Sequence, residues 1–295
     1  VELGRLNLLV GANGAGKSAL LEAIGVLGAA SDGIVDDAAL LRRGVRPGVP
    51  DLYKSAFADA DIPRTIRLAA SSGDPDVAEY AVALDNPLGT SGSWRFNNER
   101  VSAGGKDYVT RSPRAATFRH DKEKREISEL EETRGIARLP SPFGSLPASA
   151  ARLLDGLREY CIYDPQTPVL RGTEIDMRQL DPVGLHGGRL AEALALVLRT
   201  TLQTKEDLRT LIDWAEEISV SAPTPDLLSP SIPSATEVIR FVDRHMNARR
   251  NVLSGYDASE GALYVLFTLV LLFHPKAPRF FAIDNFGHAL HPRLA

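Results

Sequence analysis

A glycine-rich turn near the amino terminus limits what this chain can fold into more than any other feature. Residues 6–18 read LNLLVGANGAGKS and fill every fixed position of the pattern G-x-x-x-x-G-K-S/T, with Gly11, Gly16, Lys17 and Ser18 at those positions. The apolar residues before the turn predict a strand, and the residues after it have helical spacing. Glycines let successive backbone N–H groups point at an anion, and a helix N-terminus adds positive potential. The pattern therefore predicts a phosphate-binding loop (P-loop) between a strand and a helix, and a plain glycine-rich turn is the alternative.

The side chains of this loop match the chemistry of a nucleoside triphosphate. Lys17 is expected to reach the β- and γ-phosphates, and Ser18 to ligate Mg²⁺. Backbone groups of the neighbouring residues are expected to line the phosphates, and these residues are Asn13, Gly14, Ala15 and Ala19. The predicted ligands are ATP and Mg²⁺.

A second candidate for the metal lies near the carboxyl terminus. Residues 278–285 read PRFFAIDN, which predicts an apolar strand that ends in Asp284. Taken alone, an acid after a strand is as readily an ordinary turn residue. Paired with the P-loop, Asp284 is predicted to hold Mg²⁺ through water, opposite Ser18.

Between these two motifs lies the start of an apolar helix. Ser259, Glu260 and Gly261 precede a long apolar run that ends at Phe273. Ser259 is predicted to cap this helix, and the exposed N–H groups of the first turn can bind an anion. A plain N-cap is the alternative interpretation, and the order of the motifs along the chain favours the functional one.

Together these motifs resemble those of the ABC-type ATPases of the SMC, RecF and OLD group. Ser259–Gly261 is similar to the shortened signature motif of that group, Asp284 to its Walker B acid, and residues 287–291 to its D-loop. Residues 160–171 and 185–194 are similar, more loosely, to bacterial OLD-like ATPases.

The resemblance implies an α/β fold in which a P-loop core sheet carries an antiparallel β-layer and a helical insertion. It also implies that two heads close face to face, so that each nucleotide lies between the P-loop of one copy and Ser259–Gly261 of the other. A homodimer is then the functional unit. The family's Mg²⁺-sensing glutamine has Gln166 as its candidate, with Gln179 and Gln203 as competitors.

The chain departs from the family pattern at the predicted catalytic positions. Asn285 follows Asp284 where the family has a glutamate base, and His291 stands where aspartate is common. An amide is no base at pH 7, although it can position a water molecule. Three explanations stay open: an engineered trap, a naturally slow ATPase, or another base such as His288 or His291. We expect ATP binding that closes two heads, with slow hydrolysis that involves Asp284, Asn285 and His291.

Two other functions compete with this one. The first is a non-hydrolysing, ATP-locked scaffold that holds a nuclease or toxin effector in a phage-defence assembly, and Asn285 favours it. The second is a DNA-repair head of the RecF kind, with DNA as its partner. The basic stretch 244–250 is a candidate contact for DNA backbone or for the phosphates of the partner head, and a basic helix C-terminus is the favoured alternative.

Composition excludes several classes of protein. The net charge of −4 excludes a wholly basic nucleic-acid-binding chain. Cys161 is the sole cysteine, so no internal disulfide forms, which suits a reducing cytoplasm. The longest apolar run, 262–273, is twelve residues long. A bilayer span needs about 20, so we expect no membrane partner.

We expect residues 1–295 to form one ATPase head and further sequence to follow Ala295. A P-loop and β-layer lobe is predicted at 1–118, a helical insertion at 119–250, and the returning signature and Walker B segment at 251–295. Alternation predicts strands at 64–69, 79–84, 94–96 and 108–110. Helical spacing predicts helices at 148–160, 187–203, 205–219, 235–248 and 262–273. The charged stretch 120–138 is predicted to be a solvated helix or a break, and the stub of an arm without a long coiled coil is the alternative.

Overall fold

The structure is a computed structural model of the chain. It describes residues 1–286 except 49–52, 55–57, 60, 74–75, 87–93, 140, 179, 201–207, 209 and 230–235. The chain divides into two compact units, Val1–Ile162 and Tyr163–Ala295.

The first unit combines helices with a six-stranded antiparallel sheet whose strand order follows the sequence. Its helices are α1 (Lys17–Ser31), α2 (Asp37–Arg42) and α3 (Ala148–Glu159), and a 3-10 turn spans Ile136–Arg138. Its strands are β1 (Ile66–Ser71), β2 (Ala78–Asp85), β3 (Arg95–Ala103), β4 (Lys106–Ser112), β5 (Ala115–His120) and β6 (Glu123–Ser128). The antiparallel β-layer and the helix at 148–160 are thereby confirmed.

The sheet buries one face, and the sequence of β2 explains why. Successive side chains of a strand point to opposite faces. Tyr80, Val82 and Leu84 are buried, while the residues between them are half-buried. The buried face packs on α3, whose Leu154 and Leu157 are also buried.

The charged stretch 120–138 differs from its prediction. It contains β6, which pairs antiparallel with β5 at the edge of the sheet. The two strands are joined at Asp121, whose φ is 50°. An edge strand tolerates charged side chains because one of its sides faces solvent. The helical interpretation is therefore wrong here, since charge density alone does not separate a solvated helix from an edge strand.

A buried polar cluster joins this sheet to the 3-10 turn. Glu99 accepts a hydrogen bond from the Tyr80 hydroxyl at 2.9 Å and another from the Ile136 N–H at 2.9 Å. The guanidinium of Arg111 donates to the carbonyl oxygens of Phe96 at 2.6 Å and of Glu131 at 2.9 Å. The side chains of Glu99 and Arg111 are both fully buried, 3.8 Å apart. Burial raises the pKa of Glu99 to about 7.

Two glycines give a matched test of how α1 packs on α3. A Cβ added to Gly28 of α1 would lie 2.4 Å from the carbonyl oxygen of Leu157, whereas one added to Gly156 of α3 would meet no atom within 4 Å. We expect Gly28→Ala to lower the free energy of unfolding by about 1–3 kcal/mol, because backbone cannot yield as a side-chain tip can. Gly156→Ala is expected to raise it by about 0.5–1 kcal/mol through helix propensity. Urea unfolding of both variants measures the difference, and equal effects would contradict the close packing.

The second unit begins at Tyr163, the last residue of β7 (Cys161–Tyr163). Its helices are α4 (Thr167–Leu170), α5 (Leu190–Thr200) and α6 (Glu260–Phe273). Its strands are β8 (Ala215–Ser221), β9 (Val238–Asp243), β10 (Val252–Ser254) and β11 (Phe281–Ile283). The strands β10, β9 and β8 form an antiparallel sheet in that order. The helices predicted at 187–203 and 262–273 are confirmed as α5 and α6.

The helix predicted at 205–219 is confirmed only near its start, since Leu208, Thr210 and Leu211 are helical while residues 215–219 belong to a strand. The helix predicted at 235–248 is wrong in the part that the structure describes. Those stretches contain β8 and β9, which pair from Ala215 to Ser221 and from Val238 to Asp243. Both strands are rich in β-branched residues, which fit a pleated surface better than a helix. The middle of the chain is thus mixed rather than helical, and the boundaries placed at 118 and 250 stay predictions.

Across the described ranges, the helices are too short or too polar to serve as a membrane span.

Candidate functional site

The P-loop has the backbone that its sequence predicts. Gly14 and Gly16 have φ values of 80° and 88°, in the left-handed region that favours glycine. The Ala15 N–H donates to the Ala12 carbonyl at 3.2 Å, which closes the turn. The helix α1 then begins at Lys17 with Gly16 as its N-cap. A Cβ at Gly14 or Gly16 would meet no atom within 4 Å, so the glycines are needed for conformation rather than for space.

The lysine of the loop lies across it. The Lys17 ammonium donates to the carbonyl oxygens of Gly11 at 2.8 Å and Ala12 at 2.9 Å. These contacts concentrate positive charge at the loop and at the N-terminus of α1, where an anion is favoured. Ser18 is half-buried in the first turn of α1, and Asn13, Ala15 and Ala19 are exposed. The loop thus offers a lysine charge, glycine-shaped backbone and a helix N-terminus to a phosphate group.

The strand expected before the loop is absent from the described structure. Residues 6–10 have no strand assignment, and Leu6, Leu8 and Val10 are 93%, 76% and 83% exposed. The prediction is wrong here because a strand needs a neighbour, and the sheet that runs from β1 to β6 does not include this segment.

In the second unit, Asp284 and Asn285 follow β11 directly. The Asp284 N–H donates to the Tyr163 carbonyl at 2.8 Å, which fixes the end of β11 beside the end of β7. Asn285 has a φ of 57°, a left-handed conformation that asparagine adopts more readily than most residues. Its amide nitrogen donates to a carboxylate oxygen of Asp164 at 3.1 Å. The structure thereby adds Asp164, which sequence reasoning missed, to the predicted pair.

Gln166 lies two residues beyond Asp164, at the N-cap of α4. The side-chain Nε2 of Gln166 is 3.3 Å from Nδ1 of His186. The backbone N–H of Gln166 donates to the backbone carbonyl of His186 at 3.0 Å. Because Asp164 contacts Asn285, the candidate glutamine and the candidate Walker B residues share one edge of this unit. Gln179 and Gln203 lie outside the described residues.

The predicted cap of the signature helix is confirmed. Ser259 has an extended backbone, and its hydroxyl accepts a hydrogen bond from the Ala262 N–H at 3.3 Å. Ser259 and Glu260 are exposed. The Glu260 carboxylate accepts a hydrogen bond from the Thr167 hydroxyl, and the Tyr264 hydroxyl donates to the Pro165 carbonyl at 2.6 Å. These contacts tie the start of α6 to the segment that carries Gln166.

The predicted D-loop lies outside the residues that the structure describes. The D-loop candidates Gly287, His288 and His291 belong to residues 287–295, outside the described ranges.

The donors predicted for a metal are of a type that fits Mg²⁺. Ser18 supplies a hydroxyl, Asp284 a carboxylate and Gln166 an amide carbonyl, and such hard oxygen ligands are those that Mg²⁺ prefers. Among the described residues, there is no cluster of three or more His, Cys, Asp or Glu side chains that could hold a metal ion.

The loop and its lysine define a P-loop nucleotide-binding protein. A family model described as "AAA domain, putative AbiEii toxin, Type IV TA system" matches residues 6–295. The chain therefore belongs to this family of P-loop AAA ATPases. No curated protein and no solved structure matches the chain.

Proposed function

We propose that this chain is an Mg-ATP-binding ATPase head of the ABC type, related to the SMC, RecF and OLD group, and that two copies close around nucleotide. The conformation of the P-loop carries the proposal. Gly14 and Gly16 supply left-handed backbone at the start of α1, and Lys17 places its charge over the loop. In this arrangement Lys17 clamps the β- and γ-phosphates, and Ser18 supplies a hydroxyl for Mg²⁺.

The closure of two copies is supported by the start of α6. Ser259 and Glu260 are exposed at the N-terminus of a helix of fourteen residues, where the partial positive charge favours an anion. Ser259, Glu260 and Gly261 then contact the γ-phosphate bound by the partner copy, which makes a homodimer the functional unit.

The second unit supplies the residues proposed for hydrolysis. Asp284 and Gln166 complete the Mg²⁺ ligands, and Mg²⁺ neutralises charge on the phosphate oxygens when it is bound. Asn285 orients the attacking water, since its side chain can bond to water but cannot take its proton at neutral pH. Turnover is therefore expected to be slow, and His291 is the alternative base.

A second candidate function rests on Asn285 itself. An amide at the position of the usual glutamate favours a nucleotide-locked scaffold that holds a nuclease or toxin effector. The family description, which names a toxin of a type IV toxin–antitoxin system, points to the same context. DNA is a further proposed partner, as in a DNA-repair head of the RecF kind, and the exposed arginines 244, 249 and 250 are its candidate contacts. A cytoplasmic location is proposed as well, since a single cysteine suits a reducing compartment.

Mass measurement in solution tests the closure. Multi-angle light scattering of the wild type is expected to give a monomer without nucleotide and a dimer with Mg²⁺ and a slowly hydrolysed ATP analogue. Ser259→Arg is expected to prevent the dimer, because a long cation blocks the start of α6, while binding of fluorescent ATP persists. Ser71→Arg, at an exposed serine of β1, serves as the matched control. A monomer at saturating nucleotide, or a dimer of Ser259→Arg, would refute two-headed closure.

A further inference from the structure

The carboxylate of Asp164 has no role in the motifs above, yet it contacts the residue at the usual catalytic position. Its Oδ1 accepts a hydrogen bond from Nδ2 of Asn285 at 3.1 Å. We infer that Asp164 is a positioning residue for ATP hydrolysis: it fixes the amide of Asn285 so that the amide oxygen faces the attacking water. This inference rests on the proposed ATPase function.

The backbone around Asp164 is held from several sides. The Asp164 N–H donates to the Leu185 carbonyl at 2.9 Å, and its own carbonyl lies 3.0 Å from Nδ1 of His186. The carbonyl oxygen of the next residue, Pro165, accepts a hydrogen bond from the hydroxyl of Tyr264 in α6 at 2.6 Å. A carboxylate on a segment pinned in this way is a fixed acceptor, as a positioning role requires.

Asn285 is fixed from its own side as well. The end of β11 is bonded to Tyr163, and the Asn285 N–H donates to Oδ1 of Asp284 at 3.0 Å. The side chain thus has a defined origin, and the bond to Asp164 defines its direction.

The chemistry of the contact sets the orientation of the amide. An ionised carboxylate only accepts hydrogen bonds, so the NH₂ group of Asn285 must face Asp164 and the amide oxygen must face away. That oxygen is then an acceptor for one hydrogen of a water molecule. Without the carboxylate, the amide could turn over and present its NH₂ group, which would orient water wrongly.

The same backbone explains why the position holds asparagine. With a φ of 57°, residue 285 lies in the left-handed region, where asparagine is enriched among residues other than glycine. A glutamate here would also bring a second carboxylate against Asp164. The pair Asp164–Asn285 therefore replaces a single glutamate with an orienting device.

The reaction balances without a protein base. The water oxygen forms a bond to the γ-phosphorus, the bond from that phosphorus to the bridging oxygen breaks, and ADP keeps the electron pair. The proton of the water leaves on the inorganic phosphate. Asp164 is not a reactant and acts only through Asn285.

Steady-state phosphate release and binding of fluorescent ATP, measured on the full chain, test this role. We expect Asp164→Ala to lower kcat by about 10- to 100-fold, with the Kd for fluorescent ATP and the melting temperature unchanged. The swap Asp164→Asn with Asn285→Asp re-forms the hydrogen bond with donor and acceptor exchanged. We expect it to recover most of the kcat that either single substitution loses.

The control is Asp243→Ala, which removes a carboxylate of the same unit that accepts bonds from the N–H groups of His245 at 2.7 Å and Met246 at 3.0 Å. It is expected to leave kcat as it is.

A kcat of Asp164→Ala within twofold of wild type overturns the inference, as does an equal loss in ATP binding or a swap that recovers nothing. Wild type that binds ATP without releasing phosphate overturns it while nucleotide binding stands. Wild type that binds no ATP instead identifies a failure of the proposed function, and the inference falls with it.

Discussion

Lys17→Ala is expected to lower ATP turnover by more than about 100-fold and to weaken ATP binding. The Lys17 ammonium is the cation placed over the P-loop, where it bonds to the carbonyl oxygens of Gly11 and Ala12. Phosphate oxygens are stronger acceptors than these carbonyls because they carry charge. Substitution by alanine removes that charge and leaves the backbone of the loop in place, so phosphate loses its main point contact.

The measurement is a pair of assays on one preparation: phosphate release and binding of fluorescent ATP. The stability of the variant should stay close to that of wild type, because both bonds of Lys17 are exposed. Lys276→Ala is the matched control. Lys276 is an exposed lysine outside the P-loop, and its Nζ lies 3.1 Å from a carboxylate oxygen of Asp181. Turnover of Lys17→Ala within a few-fold of wild type would remove the P-loop from the account.

Arg111→Leu is expected to lower the free energy of unfolding by about 3–5 kcal/mol. The side chains of Arg111 and Glu99 are fully buried, and Arg111 donates to the carbonyl oxygens of Phe96 and Glu131. Leucine fills part of the volume but loses the buried hydrogen bond to the Phe96 carbonyl, and it removes the cation near Glu99. The Glu131 carbonyl keeps the hydrogen bond from the Arg134 N–H. Denaturant unfolding measures the loss.

Glu99→Gln is the conservative comparison for that cluster. Glutamine keeps the shape and can still accept the Tyr80 hydroxyl bond, so its cost below pH 4.5, where the Glu99 carboxyl is neutral, is expected to be only about 1 kcal/mol. Equal losses for Arg111→Leu and Glu99→Gln would show that the arginine does no more than fill space.

The difference in unfolding free energy between wild type and Glu99→Gln is expected to depend on pH. The pKa of Glu99 rises from 4.5 to about 7 on folding because the carboxyl is buried. Between these values the folded state holds a proton that the unfolded state has released. The contribution of Glu99 is thus largest below pH 4.5 and declines as the pH rises to about 7. Relative to Glu99→Gln, wild type should lose roughly 3 kcal/mol across this window. An unchanged difference between the two proteins would contradict the raised pKa.

Local patterns predicted much of this fold. The P-loop follows from fixed residue types at fixed spacing, and the strands β1 and β2 follow from alternation between polar and apolar residues. The cap at Ser259 follows from its place before an apolar run. These features depend on neighbours in the sequence, which is why sequence alone could find them.

Features that depend on distant partners were missed. Residues 123–128 form an edge strand because β5 offers a register for pairing, and nothing in the charged sequence encodes that neighbour. The role of Asp164 appears only when β11 ends beside it, 121 residues further along the chain. The predicted strand at 6–10 failed for the same reason, since a strand is defined by the neighbour with which it pairs.

Calorimetric titration of Mg-ATP into the wild-type chain shows whether the P-loop holds nucleotide, on which every proposed role depends. We expect one ATP per chain with a Kd below about 1 mM, and loss of that binding in Lys17→Ala but not in Lys276→Ala. The absence of any binding to wild type, or equal binding to wild type and Lys17→Ala, would contradict this expectation.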